Sequence, residues 1–425
     1  MPDLPALISS AVDILRDELV AFLQELVRAP SPPGREQEAQ NLIAQKMKAT
    51  GLEVNVVPSR FDELRHHPAF NDDGFSPDRR INVIGRRRAA GTGGGRSLIL
   101  NGHMDVVAEG DLSLWEDPPW SGAVRDGRLY GRGSCDMKAG LCAALFAVEA
   151  LRRIGFQPAG EVLVESVIGE ESGGVGTLTT IVKGYAADAA LLLEPTRLDI
   201  CPVQSGALTF RMTVAGRAAH AAMKPHGVSA IEKFALLLGA LDSLEAERHR
   251  GFRHALYGAG DSVAPINVGT VRGGGWPSTV PEEVVAEGRM GVLPGESTAS
   301  ARRALEDAMR RTASSDPWLR EHPPRLEWFE GQFESSETSI DHPFLKALES
   351  AHRRLTGRAP GMRGVTYGSD MRLFANHAGI AAAHYGPGDV LMAHAANEFV
   401  PLDEVITAAK VVALMITQWC GGEIA

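Results

Sequence analysis

Apolar positions along the chain recur with two different periods, and the change between them outlines the fold. From Ala11 to Val27 the residues Val12, Leu15, Leu19, Phe22 and Leu26 step by three and four, the spacing of one face of an amphipathic helix that packs on a sheet. Short apolar runs follow at Ser97 to Leu100, Val162 to Ile168, Ala189 to Leu193 and Ile380 to Tyr385, each ending in polar or glycine-rich residues. These read as strands. Between the first two, Leu141, Ala144, Leu145, Val148 and Leu151 form a helical stripe with Gly155 beyond it as a stop signal. Strands alternating with helices in this way predict an α/β domain whose mostly parallel sheet is flanked by helices.

Near Ser205 the texture changes. Leu208 to Val214 alternates as a half-buried strand, and a helical run follows from Ser229 through Leu244. Ile266 to Arg272 and Val284 to Leu293 read as further strands, Pro294-Gly295 as a turn, and Thr298 to Thr312 as a second helix. The α/β texture resumes after Trp328, with helices near His342 to Leu355 and from Leu402 to Trp419. The expected organisation is therefore an α/β domain in two parts, 1–205 and 330–425, interrupted by a small α+β insert over 206–329. Phe61 to Arg80 is polar, contains Asn71-Asp72-Asp73-Gly74 and two prolines, and reads as a surface loop without chemistry. Gly93-Gly94-Gly95 lacks the Lys-Ser/Thr of a phosphate loop and reads as a flexible turn.

Composition narrows the class. A chain of 425 residues exceeds one ordinary core. Its 43 Lys+Arg against 53 Asp+Glu give a net charge of −10, a field that repels nucleic acid and anionic membranes. With no basic n-region before an apolar core near Met1 and no membrane-length apolar run, the expectation is a cytoplasmic protein. Four scattered cysteines without a CxxC pair suggest neither a disulfide framework nor a thiolate zinc site.

Chemistry gathers where predicted strands give way to loops, the edge at which parallel α/β sheets bind ligands. His103-Met104-Asp105 offers an imidazole and a carboxylate that could hold the ring. Asp136, in Gly131-Arg132-Gly133-Ser134-Cys135-Asp136-Met137-Lys138, precedes a helix and fits an N-cap as well as a ligand. Glu170 and Glu171 leave a strand and enter glycines, so one can bind metal while the other handles a proton. Glu194 follows Leu191-Leu192-Leu193, and His394 sits in Met392-Ala393-His394-Ala395-Ala396-Asn397-Glu398. Each taken alone also fits an ordinary loop residue. Together they fit a count: two metal ions with three protein ligands each are served by five residues if one carboxylate bridges. Such N/O donors suit zinc, cobalt or manganese better than copper or an iron–sulfur cluster.

Over nearly the whole chain the sequence resembles the dinuclear zinc hydrolases that include aminoacylase, glutamate carboxypeptidase, acetylornithine deacetylase and succinyl-diaminopimelate desuccinylase. The resemblance rests on Asn101-Gly102-His103-Met104-Asp105, Tyr130-Gly131-Arg132-Gly133 through Asp136-Met137-Lys138, Gly169-Glu170-Glu171-Ser172-Gly173, Leu193-Glu194-Pro195 and His394. It implies two Zn2+, with Asp136 bridging, His103 and Glu194 completing one site, and Glu171 and His394 the other. Glu170 would be general base and acid, Asp105 would orient His103, and the Asp136–Met137 peptide would be cis. The insert resembles the family's lid or dimerisation domain through Gly216-Arg217-Ala218-Ala219-His220-Ala221-Ala222. That likeness implies a homodimer in which His220 reaches the partner's active site and donates to the oxyanion. Asn267, Arg289, Gly368 and Ser369 resemble substrate contacts, Arg289 as a fork for a carboxylate. The 61–80 loop is longer than in the compact desuccinylases.

The activity expected is hydrolysis of the amide of an N-acyl amino acid or similar small amide by a zinc-dependent deacylase. A dipeptidase or carboxypeptidase and an aminopyrimidine deformylase need the same metals and stand as alternatives. A non-catalytic metal-binding module is opposed by retention of Glu170 and every ligand position, and a serine hydrolase by the lack of a Gly-x-Ser-x-Gly elbow.

Overall fold

The structure is a computed structural model that describes residues 3–91 and 94–425. Two compact units emerge. One comprises the chain up to Pro202 with Glu337–Arg363 and Asp370–Ala425; the other comprises Val203–Ser336 and Gly364–Ser369. The second unit thus includes a short segment, 364–369, that the linear reading left with the α/β part.

The first unit is built on a mixed sheet whose centre is four adjacent parallel strands in the order Val162–Val167, Leu98–His103, Ala189–Leu192 and Ala381–His384. Antiparallel strands Ile81–Arg87 and Glu53–Pro58 extend one side. The parallel order expected from the strand–helix alternation therefore holds through the middle, and the flanks are antiparallel. Central strands are apolar at consecutive positions because both faces are covered. Leu98, Leu100, Val162, Val164 and Leu191 enter a core with helices Ala139–Arg153 and Leu402–Cys420. Ile99, Leu163, Ala190 and Leu192 point the other way, against Met371 and Phe374. Gly140 has no room for a side chain: a Cβ there would lie 2.1 Å from the carbonyl oxygen of Leu193, so the helix rests directly on the strand that leads to Glu194.

The amphipathic stripe from Ala11 to Val27 is split between two helices, Leu4–Ile14 and Arg16–Arg28. Val12, Leu15, Leu19, Phe22 and Leu26 are nevertheless all buried. Periodicity reports the buried face, and the bend at Leu15 keeps that face on the core. Segment 61–80 departs from the expectation of a plain surface loop. It carries a short helix, Phe61–Leu64, and ends in the buried ion pairs Arg80–Asp73 and Arg80–Glu36. Gly93 of the glycine run lies outside the described residues.

In the second unit four antiparallel strands run in the order Ile266–Gly273, Glu283–Val292, Gly206–Ala215, Arg325–Trp328. Leu208, Phe210, Met212 and Val214 alternate onto one face and pack with Leu237 and Leu241 of helix Ala230–Gly251 and Leu305 and Met309 of helix Thr298–Ser315. Side-chain caps start both helices: Ser229 accepts from Glu232 N–H and Ser297 from Ser300 N–H. Among the described residues no helix is long and apolar enough to cross a membrane. All four cysteines are buried and free.

Candidate metal centre

Register decides what the parallel strands deliver. His103 pairs with Val167, Asn101 with Leu192, and Leu192 with His384, so the carboxyl ends of all four strands lie along one sheet edge. Glu170 and Glu171 follow the first strand, Glu194 the third, and His394 the loop after the fourth. Asp136 comes from the segment that precedes helix Ala139–Arg153, across a cis Asp136–Met137 peptide.

The side chains converge. His103 Nε2 is 3.0 Å from Asp136 Oδ1, 4.0 Å from Glu170 Oε2 and 4.0 Å from Glu194 Oε1. On the other side His394 Nε2 lies 3.5 Å from Asp136 Oδ2 and 3.1 Å from Glu171. The two carboxylate oxygens of Asp136 therefore face different histidines, the disposition a bridging ligand needs. One donor atom each from His103, Asp136 and Glu171 falls within 4.8 Å of the others.

Electrostatics favour a cation here. Among the described residues the ion-pair partners of Asp136, Glu170, Glu171 and Glu194 are the two histidines alone. Burial pushes the Glu170 and Glu194 carboxyls well up, and burial with the neighbouring Asp136 raises Glu171. For His103, burial is outweighed by the Asp136 hydrogen bond and the Glu194 charge, and its pKa rises well above the ordinary value. Hydrogen bonds to Asp136 and Glu171 lift His394 to about 10. Two buried and two half-buried acids are thus balanced by protons on the raised carboxyls and on the two histidines, whose hydrogen bonds hold Asp136 below the ordinary carboxylate range despite its burial. Divalent cations displace such protons and satisfy the same donors, so the residues fit a metal centre.

The supporting contacts differ in part from those expected. The ring Nδ1 of His103 meets the backbone carbonyl of Asp105 at 2.8 Å, while the nearest Asp105 carboxylate oxygen is 3.9 Å away. That carboxylate instead accepts the backbone N–H groups of Glu170 at 3.2 Å and Glu171 at 3.0 Å. Asp105 therefore orients both the histidine and the paired acids, through different atoms. Glu398 follows His394 by four residues. It is buried, accepts from the N–H of Cys135 and Asp136, and pairs with buried Arg132. Buried Lys138 donates to the carbonyls of Leu26 and Ala29 at the end of helix Arg16–Arg28.

The remaining residues named from the sequence belong to the second unit. His220 is exposed, and its Nδ1 accepts the Ala222 N–H at 3.1 Å, which in the neutral ring leaves the proton on Nε2. Asn267 and Arg289 sit directly opposite each other on adjacent strands, both exposed. They share the sheet face opposite the helices, since Met290 and Val292 take the helix side. Ser369 is buried, with its hydroxyl donating to Gln204 at 2.6 Å, and a Cβ on Gly368 would press on Phe333 at 2.6 Å. What the structure shows for this pair is packing within the unit.

A family model, peptidase family M20/M25/M40, matches residues 99–418, which span every candidate ligand. The chain belongs to this family. It is 31% identical to the N-formyl-4-amino-5-aminomethyl-2-methylpyrimidine deformylase of Halalkalibacterium halodurans over 96% of both chains. It is 27% identical to the acetylornithine deacetylase of Myxococcus xanthus over 88% of this chain and 95% of that one. Among solved structures, a di-peptidase from Saccharomyces cerevisiae superposes with a TM-score of 0.77 over 99% of each chain at 14% identity. A tripeptidase from Staphylococcus aureus gives 0.72 at 21% identity, over 95% of this chain and 98% of that one. These structural likenesses concern the fold. Family membership makes the protein a hydrolase of amide or peptide C–N bonds in small substrates, and enzymes of the family are metal-dependent.

Proposed function

We propose that this M20 hydrolase is a two-zinc amidohydrolase that removes a formyl group from an aminomethyl-pyrimidine or a closely similar small amine. The observation that carries the substrate class is similarity over 96% of both chains to a deformylase of that description. A second deformylase, from Bacillus subtilis, is 29% identical over 95% of each chain. In this reading His103, Glu194 and Asp136 hold one ion and Asp136, Glu171 and His394 the other; cobalt or manganese are alternative occupants. Bound there, the ions supply charge that polarises a carbonyl and acidifies water.

The protein's own groups move the proton. Glu170 takes it from the attacking water as the C–O bond to the amide carbon forms, its carboxyl pushed well above the ordinary range by burial and so more basic. Glu170 then returns the proton to the nitrogen as the C–N bond breaks, releasing carboxylate and amine. His220, with its proton on Nε2, donates to the oxyanion from a second copy of the chain. A homodimer is supported by the end position of strand Ile266–Gly273 in its sheet and by the exposed apolar residues Val271, Ile231 and Leu238 on the same unit.

Arg289 beside Asn267 favours a second reading, an N-acyl amino acid whose carboxylate a guanidinium fork would hold. The two readings separate by kcat/KM on a panel of N-formyl aminomethyl-pyrimidine and N-formyl, N-acetyl and N-succinyl amino acids. The first expects the formyl pyrimidine to lead. Leadership by an acyl amino acid, lost in Arg289→Met, would overturn it in favour of the second.

A further inference from the structure

The turn that presents Glu170 and Glu171 is held from behind by the segment in which the sequence suggested no chemistry. Gly169, at φ 68°, opens the turn, and a Cβ there would lie 2.8 Å from Nη2 of Arg80. A guanidinium thus lies close against the backbone one residue before Glu170. Arg80 is 1% exposed and donates from Nη1 to Asp73 and from Nη2 to Glu36. The same Asp73 Oδ2 accepts the hydroxyl of Ser172 at 3.1 Å, next to Glu171. Asn71 lies against Gly173, where a Cβ would sit 2.9 Å from the Asn71 Cβ. Elsewhere the turn is held by Asp105, which accepts the N–H groups of Glu170 and Glu171, and by Arg372, whose Nη2 donates to the Gly173 carbonyl at 2.8 Å.

We propose that Arg80 and Asp73 are positioning residues for the hydrolysis: with Ser172 they clamp the Gly169–Gly174 turn and so set the separation of the proton carrier Glu170 from the metal ligand Glu171. The inference rests on the roles proposed for those two acids. A buried guanidinium is expensive unless paired, and here Asp73 of the same segment and Glu36, 44 residues away, pair it. The Arg80–Glu36 pair ties segment 61–80 to the residue that precedes helix Gln37–Ala49, and the Ser172 hydroxyl bond to Asp73 ties it to the turn. Without the clamp the turn retains its own Gly173 N–H to Glu170 O and Gly174 N–H to Gly169 O bonds, so it persists but can tilt. A tilt that moves a reacting group by about 1 Å costs roughly a hundredfold in rate.

The test compares Ser172→Ala, Ser172→Thr, Asp73→Asn and Arg80→Lys in the full-length protein. It uses thermal unfolding, kcat and KM on the panel above, and binding of the first and second equivalents of Co2+ followed by absorption. Ser172→Ala and Asp73→Asn are expected to lower kcat roughly ten- to a hundredfold with KM little changed. They are also expected to weaken the second Co2+ equivalent roughly ten- to a hundredfold. Ser172→Thr, which keeps the hydroxyl, retains both properties. Where Asp73→Asn or Arg80→Lys unfolds, Ser172→Ala decides, since it removes one hydroxyl. Wild-type kcat and Co2+ affinity in that variant, or losses that follow only the folded fraction, would overturn the clamp. If the wild-type protein hydrolyses none of the amides, the substrate reading fails, and Co2+ affinity alone judges the clamp.

Discussion

Glu398 holds Asp136 by its main chain: Oε1 of Glu398 accepts the Asp136 N–H at 3.1 Å and the preceding Cys135 N–H at 2.9 Å. The carboxylate that faces both histidines is thus oriented by an acid 262 residues away in sequence, itself neutralised by Arg132. Replacing Glu398 with Ala frees this backbone and strands a buried guanidinium. The expected outcome is a metal affinity lower by roughly ten- to a hundredfold and a stability loss of about 3–5 kcal/mol, measured by chelator competition and denaturant unfolding. An unchanged metal affinity would show that Asp136 needs no such support.

Glu170 is the proton carrier in this account and contributes no metal ligand. Glu170→Ala should lower turnover by roughly 10²–10⁴-fold with metal content intact by elemental analysis. Loss of metal along with activity would make Glu170 a ligand and reverse its assignment with Glu171.

His220 tests the dimer. His220→Ala should reduce kcat far more than metal content. Mixing it with Glu170→Ala protein should restore part of the activity, because a mixed dimer contains one site with both intact residues. Failure to recover activity while mixed dimers form would confine His220 to its own chain or remove it from the chemistry.

Glu165 gives a stability signature independent of the metals. It is fully buried in the central strand, accepts from Asn101 and Thr180, and burial raises its pKa to about 7. The folded protein therefore holds this proton more tightly than the unfolded chain. Its contribution is fully present below the unfolded value near 4.5 and is lost as pH rises through about 7, a change on the order of 3 kcal/mol. Denaturant midpoints from pH 5 to 9 should fall in the wild type, and Glu165→Gln should remove that part of the slope. Identical slopes would mean that Glu165 is ionised in the fold at neutral pH.

The fold and the converging residues were legible because the pattern is local. A strand apolar at every position is buried on both faces, so a polar residue at its carboxyl end, as at His103 or Glu194, stands out against its neighbours. The supporting residues lack that signal. Arg132 and Glu398, or Arg80 and Glu36, look like surface charges in sequence, and only folding brings partners 266 and 44 residues apart into buried pairs. Asp105 shows a subtler gap. Its place beside His103 was evident, but whether its carbonyl or its carboxylate meets the ring depends on the backbone path of the Gly169–Gly174 turn, which the motif does not encode.

Together these acids and histidines are proposed to form a metal-dependent amide-hydrolysing centre. The most direct measurement is turnover of N-formyl aminomethyl-pyrimidine by metal-stripped protein titrated with zinc. No formate release is expected without metal, and activity should rise to a plateau at two zinc ions per chain. Equal turnover with and without metal, or none at full occupancy on this or any other amide of the panel, would contradict it.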